Sequence, residues 1–251
     1  MKKVLITGIS GLVGGVLRDH LQSRFELSAL NRRNVPGVPC HTADIGDLDA
    51  IQPAFEGIDA VVHMAAFARS GETWDAILND NIVGTYNVFE ASRRAGVKRI
   101  VFASSGMAMA GWESVMPYKA LSEGRYEEAP ENWEKLTHQT AVWPRGLYGC
   151  SKVFGEVLGR HYADTTNLSI LCLRMGGVVQ EDKPSSPRQF AVYCSKADIA
   201  QIVERCLDAP ADLKYDIFYA LSDNRWGFRD LEHAREVIGY VPAGAAEDYR
   251  G

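Results

Sequence analysis

The chain has 251 residues, enough for one large domain with a well-buried core, and its 46% hydrophobic and 24% charged residues exclude disordered and fibrous classes. A formal charge of −5 without any block of Lys or Arg argues against a nucleic-acid surface. No window holds about eighteen uninterrupted apolar residues, so no membrane-spanning helix is expected.

Short Val- and Ile-rich runs alternate with longer amphipathic stretches, the pattern of a parallel sheet covered by helices on both faces. In chain order, strands are predicted at Lys3–Gly8, Glu26–Asn31, Pro39–Asp44, Asp59–Ala65, Arg99–Ser105 and Leu168–Arg174. Helices are predicted between them at Leu12–Arg24, Leu48–Phe55, Trp74–Ala95 and Tyr148–Tyr162. The opening MKKVLITGIS reads as a buried strand rather than a signal peptide, because its apolar run is short and ends in Thr-Gly, so the protein is expected in the cytoplasm. From Gly106 to Arg145 the periodicity fades, and a long loop with a helical turn over the carboxyl ends of the strands is expected. After Arg174 come a loop (Gly176–Ala191), a helix (Ser195–Leu207), a strand (Asp216–Ser222) and a helix (Asp230–Ile238), read as a small lid.

The five cysteines, Cys40, Cys150, Cys172, Cys194 and Cys206, form no close pairs and read as reduced. His20, His41, His63, His138, His161 and His233 show no metal-ligand spacing, so no metal is expected.

TGISGLVGG follows the first strand and opens the first helix, with Gly8, Gly11 and Gly14 in the spacing G-x-x-G-x-x-G. The first glycine permits the turn, the second admits a pyrophosphate to the backbone, and the third lets helix and strand pack closely. Free N–H groups at the helix start then meet the phosphate. These features point to an α/β, Rossmann-type doubly wound parallel sheet over residues 1–175, with a small substrate-binding region over 176–251 packed on it as one globular unit. After the second strand stand Asn31, Arg32 and Arg33, with no carboxylate to compete for a phosphate, which favours NADP. The alternative is NAD, with the arginines solvated and Asn31 bonding both ribose hydroxyls. Asp44 and Ile45 are assigned to the adenine edge and face. Further cofactor contacts are expected from Ser10, Leu12 and Val13, from Met64, Ala65 and Ala66, and from Ala103 and Ser104. Asn81 is placed at the same site, where it is expected to fix the sheet and the active-site serine loop rather than touch substrate.

In LYGCSK, Tyr148 and Lys152 lie four residues apart and share one helix face. A neighbouring ammonium favours the phenolate and makes the phenol a usable proton shuttle, while the same ammonium can hold the nicotinamide ribose. Ser105, ending the fifth strand, is expected to orient the reacting oxygen. Arg69, Ser70, Gly106 and Met107 are assigned to the substrate cavity; Trp112 and Trp143 read as core of the insertion, with a place over the cavity as the alternative.

TGISGLVG, ADIGD, VVHMAA, NDNIVGTYNVFEASRRAGVKRIVFASS and LYGCSK together resemble extended short-chain dehydrogenase/reductases, the group containing NAD-dependent sugar-nucleotide epimerases and dehydratases, over about residues 1–175. LYGCSKVFGE, LRMGG and SDNRW with GYVPAGAAED are most similar to uronate dehydrogenases. The resemblance implies oxidation of a hexuronic acid at its anomeric carbon with NAD, and Arg174 as a substrate-contacting arginine with a structural salt bridge as the alternative. It also implies a homodimer through the NIVGTYNVFEASRRAG helix. The sequence departs from that group where Gly106, Met107, Ala108 and Met109 follow the paired serines, which predicts a more apolar pocket wall. A nucleotide-sugar epimerase or dehydratase is disfavoured by the 251 − 174 = 77 residues after Arg174, and a non-catalytic dinucleotide-binding regulator by the presence of Tyr148 and Lys152.

Overall fold

Alternation sets the sheet: Val4 and Ile6 face one side of the first strand and Leu5 the other, all almost fully buried. The computed structural model describes residues 1–68, 71 and 73–250. Among them the sheet has seven strands: β1 (Lys3–Thr7), β2 (Glu26–Asn31), β3 (Cys40–Thr42), β4 (Ala60–His63), β5 (Arg99–Ser105), β6 (Ser169–Met175) and β7 (Tyr215–Ala220). They lie in the order β3-β2-β1-β4-β5-β6-β7, every neighbouring pair parallel. The order reverses between β1 and β4, which opens a crevice beyond their carboxyl ends.

The connecting helices are α1 (Leu12–Leu21), α2 (Leu48–Ile51), α3 (Trp74–Ala76), α4 (Gly84–Ala95), α5 (Tyr118–Glu123), α6 (Gly146–Thr165), α7 (Gln189–Val192), α8 (Lys196–Asp208) and α9 (Glu232–Ile238). On one face Val4, Ile6 and Val101 pack against Leu17 and Leu21 of α1 and Ile202 and Val203 of α8. On the other, Leu5, Ile100 and Ile170 meet Ile51, Val88, Phe89 and Tyr162. Each such aliphatic side chain contributes about 1.5–3 kcal/mol on burial. No helix among the described residues is long and apolar enough to cross a membrane.

Three elements differ from expectation. The helix predicted over Trp74–Ala95 widens into π-helical turns over Ile77–Val83, and buried Asn81 lies within the widened stretch. Such turns collect at functional sites. The Gly106–Arg145 segment is ordered as 3₁₀ turns (Gly106–Ser114), α5 and a further turn (Tyr126–Glu128) rather than as a long loop. It has its own core, in which Ala108, Met109, Tyr118, Leu121 and Leu136 pack against Tyr219, Leu221 and Phe228. Apolar residues without helical or strand spacing bury themselves through irregular turns, and periodicity does not register them. Finally, the C-terminal stretch read as a lid supplies β7 to the sheet and α8 to its cover, so residues 175 and 176 separate neighbouring strands of one sheet.

Candidate active site

The cofactor crevice starts at the turn from β1 to α1. Gly8 has φ +71°, and a Cβ there would stand 2.7 Å from the Ala65 nitrogen. At Gly14 a Cβ would lie 2.5 Å from the Gly8 carbonyl oxygen, so both positions require glycine. Gly11 precedes α1 and offers no side-chain cap, leaving first-turn N–H groups for a pyrophosphate. A cavity of about 590 Å³ follows, lined by Gly8, Ser10, Gly11, Asn31, Arg32, Arg33, Ile45, Met64, Ala65 and Ala66. A bare glycine cradle leading into a cleft of this size suits a dinucleotide.

Other assigned cofactor residues are placed differently. Leu12 and Val13 form the first turn of α1, with Val13 against the core. Asp44 turns its carboxylate onto the Gly46 N–H at 2.8 Å. Asn81 accepts from the Phe67 N–H at 2.7 Å and donates to the Phe67 carbonyl and to Ser151 Oγ. Its carboxamide is thereby engaged in tying the loop after β4 to α6, and none of these bonds reaches the Ser105 loop. Ala103 is buried within β5, and Ser104 donates to Glu156 Oε1 at 2.6 Å. Arg69 and Ser70 lie outside the described residues.

The expectation that no carboxylate competes near the arginines is corrected. Asp80, in the π-helical stretch, lines the same cavity and pairs with Arg32 at 3.5 Å. Asn31 accepts from Ser10 Oγ at 3.1 Å and donates to the Arg33 carbonyl at 2.8 Å, which fixes its amide.

The catalytic candidates converge at the end of β5. A Cβ at Gly155 would lie 2.2 Å from Phe102 Cζ, so glycine lets α6 settle directly on β5. Near the start of that helix Tyr148 comes within the electrostatic reach of the Ser105 side chain, and Ser105 Oγ accepts from the Met107 N–H at 3.1 Å. One turn on, the Lys152 Nζ sits 5.4 Å from the Tyr148 ring centroid and 5.1 Å from that of Phe102. Lys152 is 3% exposed, and burial pulls its pKa down to about 7. The Tyr148 pKa is raised by burial, with the Ser105 side chain opposing the rise. The expected lowering of the phenol's pKa is not seen in the protein alone: burial dominates and raises it, and Ser105 is what opposes the rise.

Arg174 is 1% exposed and forms two 2.9 Å hydrogen bonds with Glu156, plus one of 3.3 Å to the Tyr219 hydroxyl. This is the structural salt bridge, and it leaves the guanidinium no open side from which to anchor a substrate. The apolar wall is corrected as well. Arg188 Nη2 lies 4.0 Å from Met107 Sδ, and Arg229 Nη2 lies 3.4 Å from the Gly106 carbonyl oxygen. Both, with Arg145, surround Glu113 at 2.7, 3.0 and 3.9 Å respectively. Burial alone would raise the Glu113 pKa, but Arg188 and Arg229 hold it below the usual carboxylate range. Three guanidiniums around one carboxylate leave excess positive charge beside Gly106 and Met107. Glu113, Arg188 and Arg229 come from segments without a motif, and Asp80, although inside NDNIVG, has no spacing that points it at the cofactor crevice. Trp112 and Trp143 pack edge to face in the insertion at 5.6 Å.

Comparison with known proteins gives a family and several relatives. The model of the NAD dependent epimerase/dehydratase family matches residues 4–210. The chain is 32% identical over 249 residues to the NAD-dependent glucose-6-phosphate dehydrogenase of Haloferax volcanii, covering 95% of this chain and 92% of that protein. It is also 32% identical over 251 residues to the L-arabinose 1-dehydrogenase (NAD(P)(+)) of the same organism, covering 96% of each. The crystal structure of uronate dehydrogenase from Agrobacterium tumefaciens superposes with a TM-score of 0.84 at 30% identity, over all of this chain and 87% of that one. With the glycine cradle and the parallel sheet, these matches show that the chain belongs to the NAD-dependent epimerase/dehydratase family.

Proposed function

We propose that the protein is a dehydrogenase that oxidises a hydroxyl group of a small sugar or sugar acid, at its anomeric carbon by analogy with the uronate enzymes. The observation that carries this reading is the convergence of Ser105 and Tyr148 at the end of β5, with Lys152 buried one helical turn away and its Nζ 5.4 Å from the Tyr148 ring centroid. Ser105 orients the substrate hydroxyl, and Tyr148 takes its proton while the carbon–oxygen double bond forms. A nicotinamide cofactor held in the crevice would supply the acceptor for the hydride leaving that carbon. Lys152 holds the phenol and the neighbouring ribose, and Asn81 positions α6 through Ser151. Removing a general base of this kind costs about 10²–10⁴ in rate.

NAD is the preferred dinucleotide in this reading, because Asp80 partly neutralises Arg32 where a 2′-phosphate would lie. Arg188, whose side chain is 40% exposed, takes the anchoring role expected of Arg174 and favours an anionic sugar. A cytoplasmic homodimer pairing through α4 and α6 accords with exposed Tyr86 and Val157 on those helices. Cofactor absorbance at 340 nm should rise with a uronate, glucose 6-phosphate or L-arabinose panel for the wild type. Tight NAD binding without turnover of any sugar would favour the regulator reading instead.

A further inference from the structure

His138, Asp216 and His233 come from three separate parts of the chain: the insertion, β7 and α9. These positions are far apart along the chain, so the sequence shows no metal-ligand spacing, and only the fold brings them together. Their ligand atoms all lie within 4.8 Å of one another.

Each side chain is held in place by its own element. The strand-like bridge between Leu136 and Arg229 pins the backbone just before His138, with Leu136 N–H donating to the Phe228 carbonyl at 2.8 Å and Asp230 N–H to the Leu136 carbonyl at 3.0 Å. His233 lies in the first turn of α9, its N–H and that of Glu232 donating to the Asp230 carboxylate at 3.2 and 3.0 Å. Asp216 Oδ1 accepts from the Ile217 N–H at 2.8 Å and contacts His233 Nε2 at 2.8 Å. The His138 and His233 rings stack with centroids 3.7 Å apart, and Phe218 stacks against His233 at 5.3 Å.

His138 Nδ1 is buried and has no hydrogen-bond partner. Leaving such a nitrogen unsatisfied is unfavourable, and a cation bound through the imidazole lone pair would satisfy it.

We propose that His138, His233 and Asp216 form a divalent transition-metal site, best suited to Zn²⁺, that fastens the insertion to β7 and α9. Two imidazole nitrogens and one carboxylate oxygen are a borderline donor set matching Zn²⁺ rather than Mg²⁺ or Ca²⁺. The ion displaces the hydrogen shared by His233 and Asp216, while the Ile217 N–H goes on orienting the carboxylate as an outer-shell partner. Coordination in the ring planes at about 2.0–2.1 Å requires His138 to turn out of its stack on His233, and the bound ion then ties the insertion to the sheet edge.

The test uses the full chain after dialysis against chelator, titrated with ZnCl₂ by calorimetry, and with CoCl₂ followed by visible absorption. The expected result is one Zn²⁺ per chain, a higher thermal midpoint with Zn²⁺, and Co²⁺ bands of four-coordinate geometry. His138→Ala and His233→Ala should each weaken binding at least about tenfold and abolish the thermal shift. Should His233→Ala fail to fold, His138→Ala, altered only at a turn of the insertion, decides the matter. Absence of binding, or equal binding by the wild type and His138→Ala, overturns the proposal.

Discussion

Glu156 grips Arg174 through two hydrogen bonds of 2.9 Å, and both side chains are almost fully out of solvent. Ser104 adds a third bond to the same carboxylate at 2.6 Å, joining β5, β6 and α6 beneath the proposed catalytic residues. A buried guanidinium left without its carboxylate is costly, so Glu156→Gln should lose about 3–5 kcal/mol of stability. Urea denaturation checks this. A variant of unchanged stability whose KM for sugars has risen would instead return Arg174 to the substrate.

Arg188 lies beside Met107 and is the most exposed of the two arginines within 3 Å of Glu113. Arg188→Met is expected to lower kcat/KM for a uronate or a sugar phosphate by about 10–100-fold, the range of one charge-assisted hydrogen bond, while leaving a neutral aldose nearly untouched. Equal losses on charged and neutral sugars would contradict an anion-anchoring role.

Asp80 and Arg32 share the far end of the cofactor cavity. Removing the acid frees Arg32 for a 2′-phosphate, so Asp80→Asn should shift the ratio of NADP to NAD affinity toward NADP by about tenfold, or 1.4 kcal/mol. Fluorescence titration with the two reduced cofactors measures it. No change in the ratio would mean that Arg33 or the backbone sets the choice.

Two buried bases give the stability a definite pH dependence. Lys152 has a folded pKa near 7, below its unfolded value, so above pH 7 and up to the ordinary lysine range the unfolded chain holds a proton that the folded chain has released. Stability therefore rises with pH across that window, and the penalty is complete below it. His63 is pulled down to about 3 by burial and then by Lys152, and its Nδ1 lies 2.8 Å from Thr7 Oγ1. Stability should fall as pH drops from the ordinary histidine value toward 3. Thermal unfolding from pH 4 to 10 is expected to climb, with Lys152→Met flattening the alkaline side by on the order of a few kcal/mol. A wild-type curve already flat above pH 7 would contradict the burial effect on Lys152.

The sheet was legible because strands buried on both faces leave Val- and Ile-rich runs, and the glycines of the first turn have steric jobs that only glycine can do. Tyr148 and Lys152 were legible as one helix face, and the structure adds the Ser105 contact. What the sequence hid is long-range. Glu156 looks like an ordinary helix residue until β6 brings Arg174 against it. Asp80 lines the cofactor cavity from a π-helical stretch that helical spacing does not foresee, and Arg188 and Arg229 reach Glu113 from segments with no periodic signal. Pairings of this kind depend on which elements meet in space, so spacing along the chain carries no trace of them.

The most direct measurement of the central claim is the rate of NADH formation at 340 nm by wild type and Tyr148→Phe on the best uronate or aldose. The account predicts a fall of about 10²–10⁴ in kcat with NAD affinity retained. An unchanged kcat in the variant would contradict it, since the proton would then leave the substrate without the Tyr148 hydroxyl.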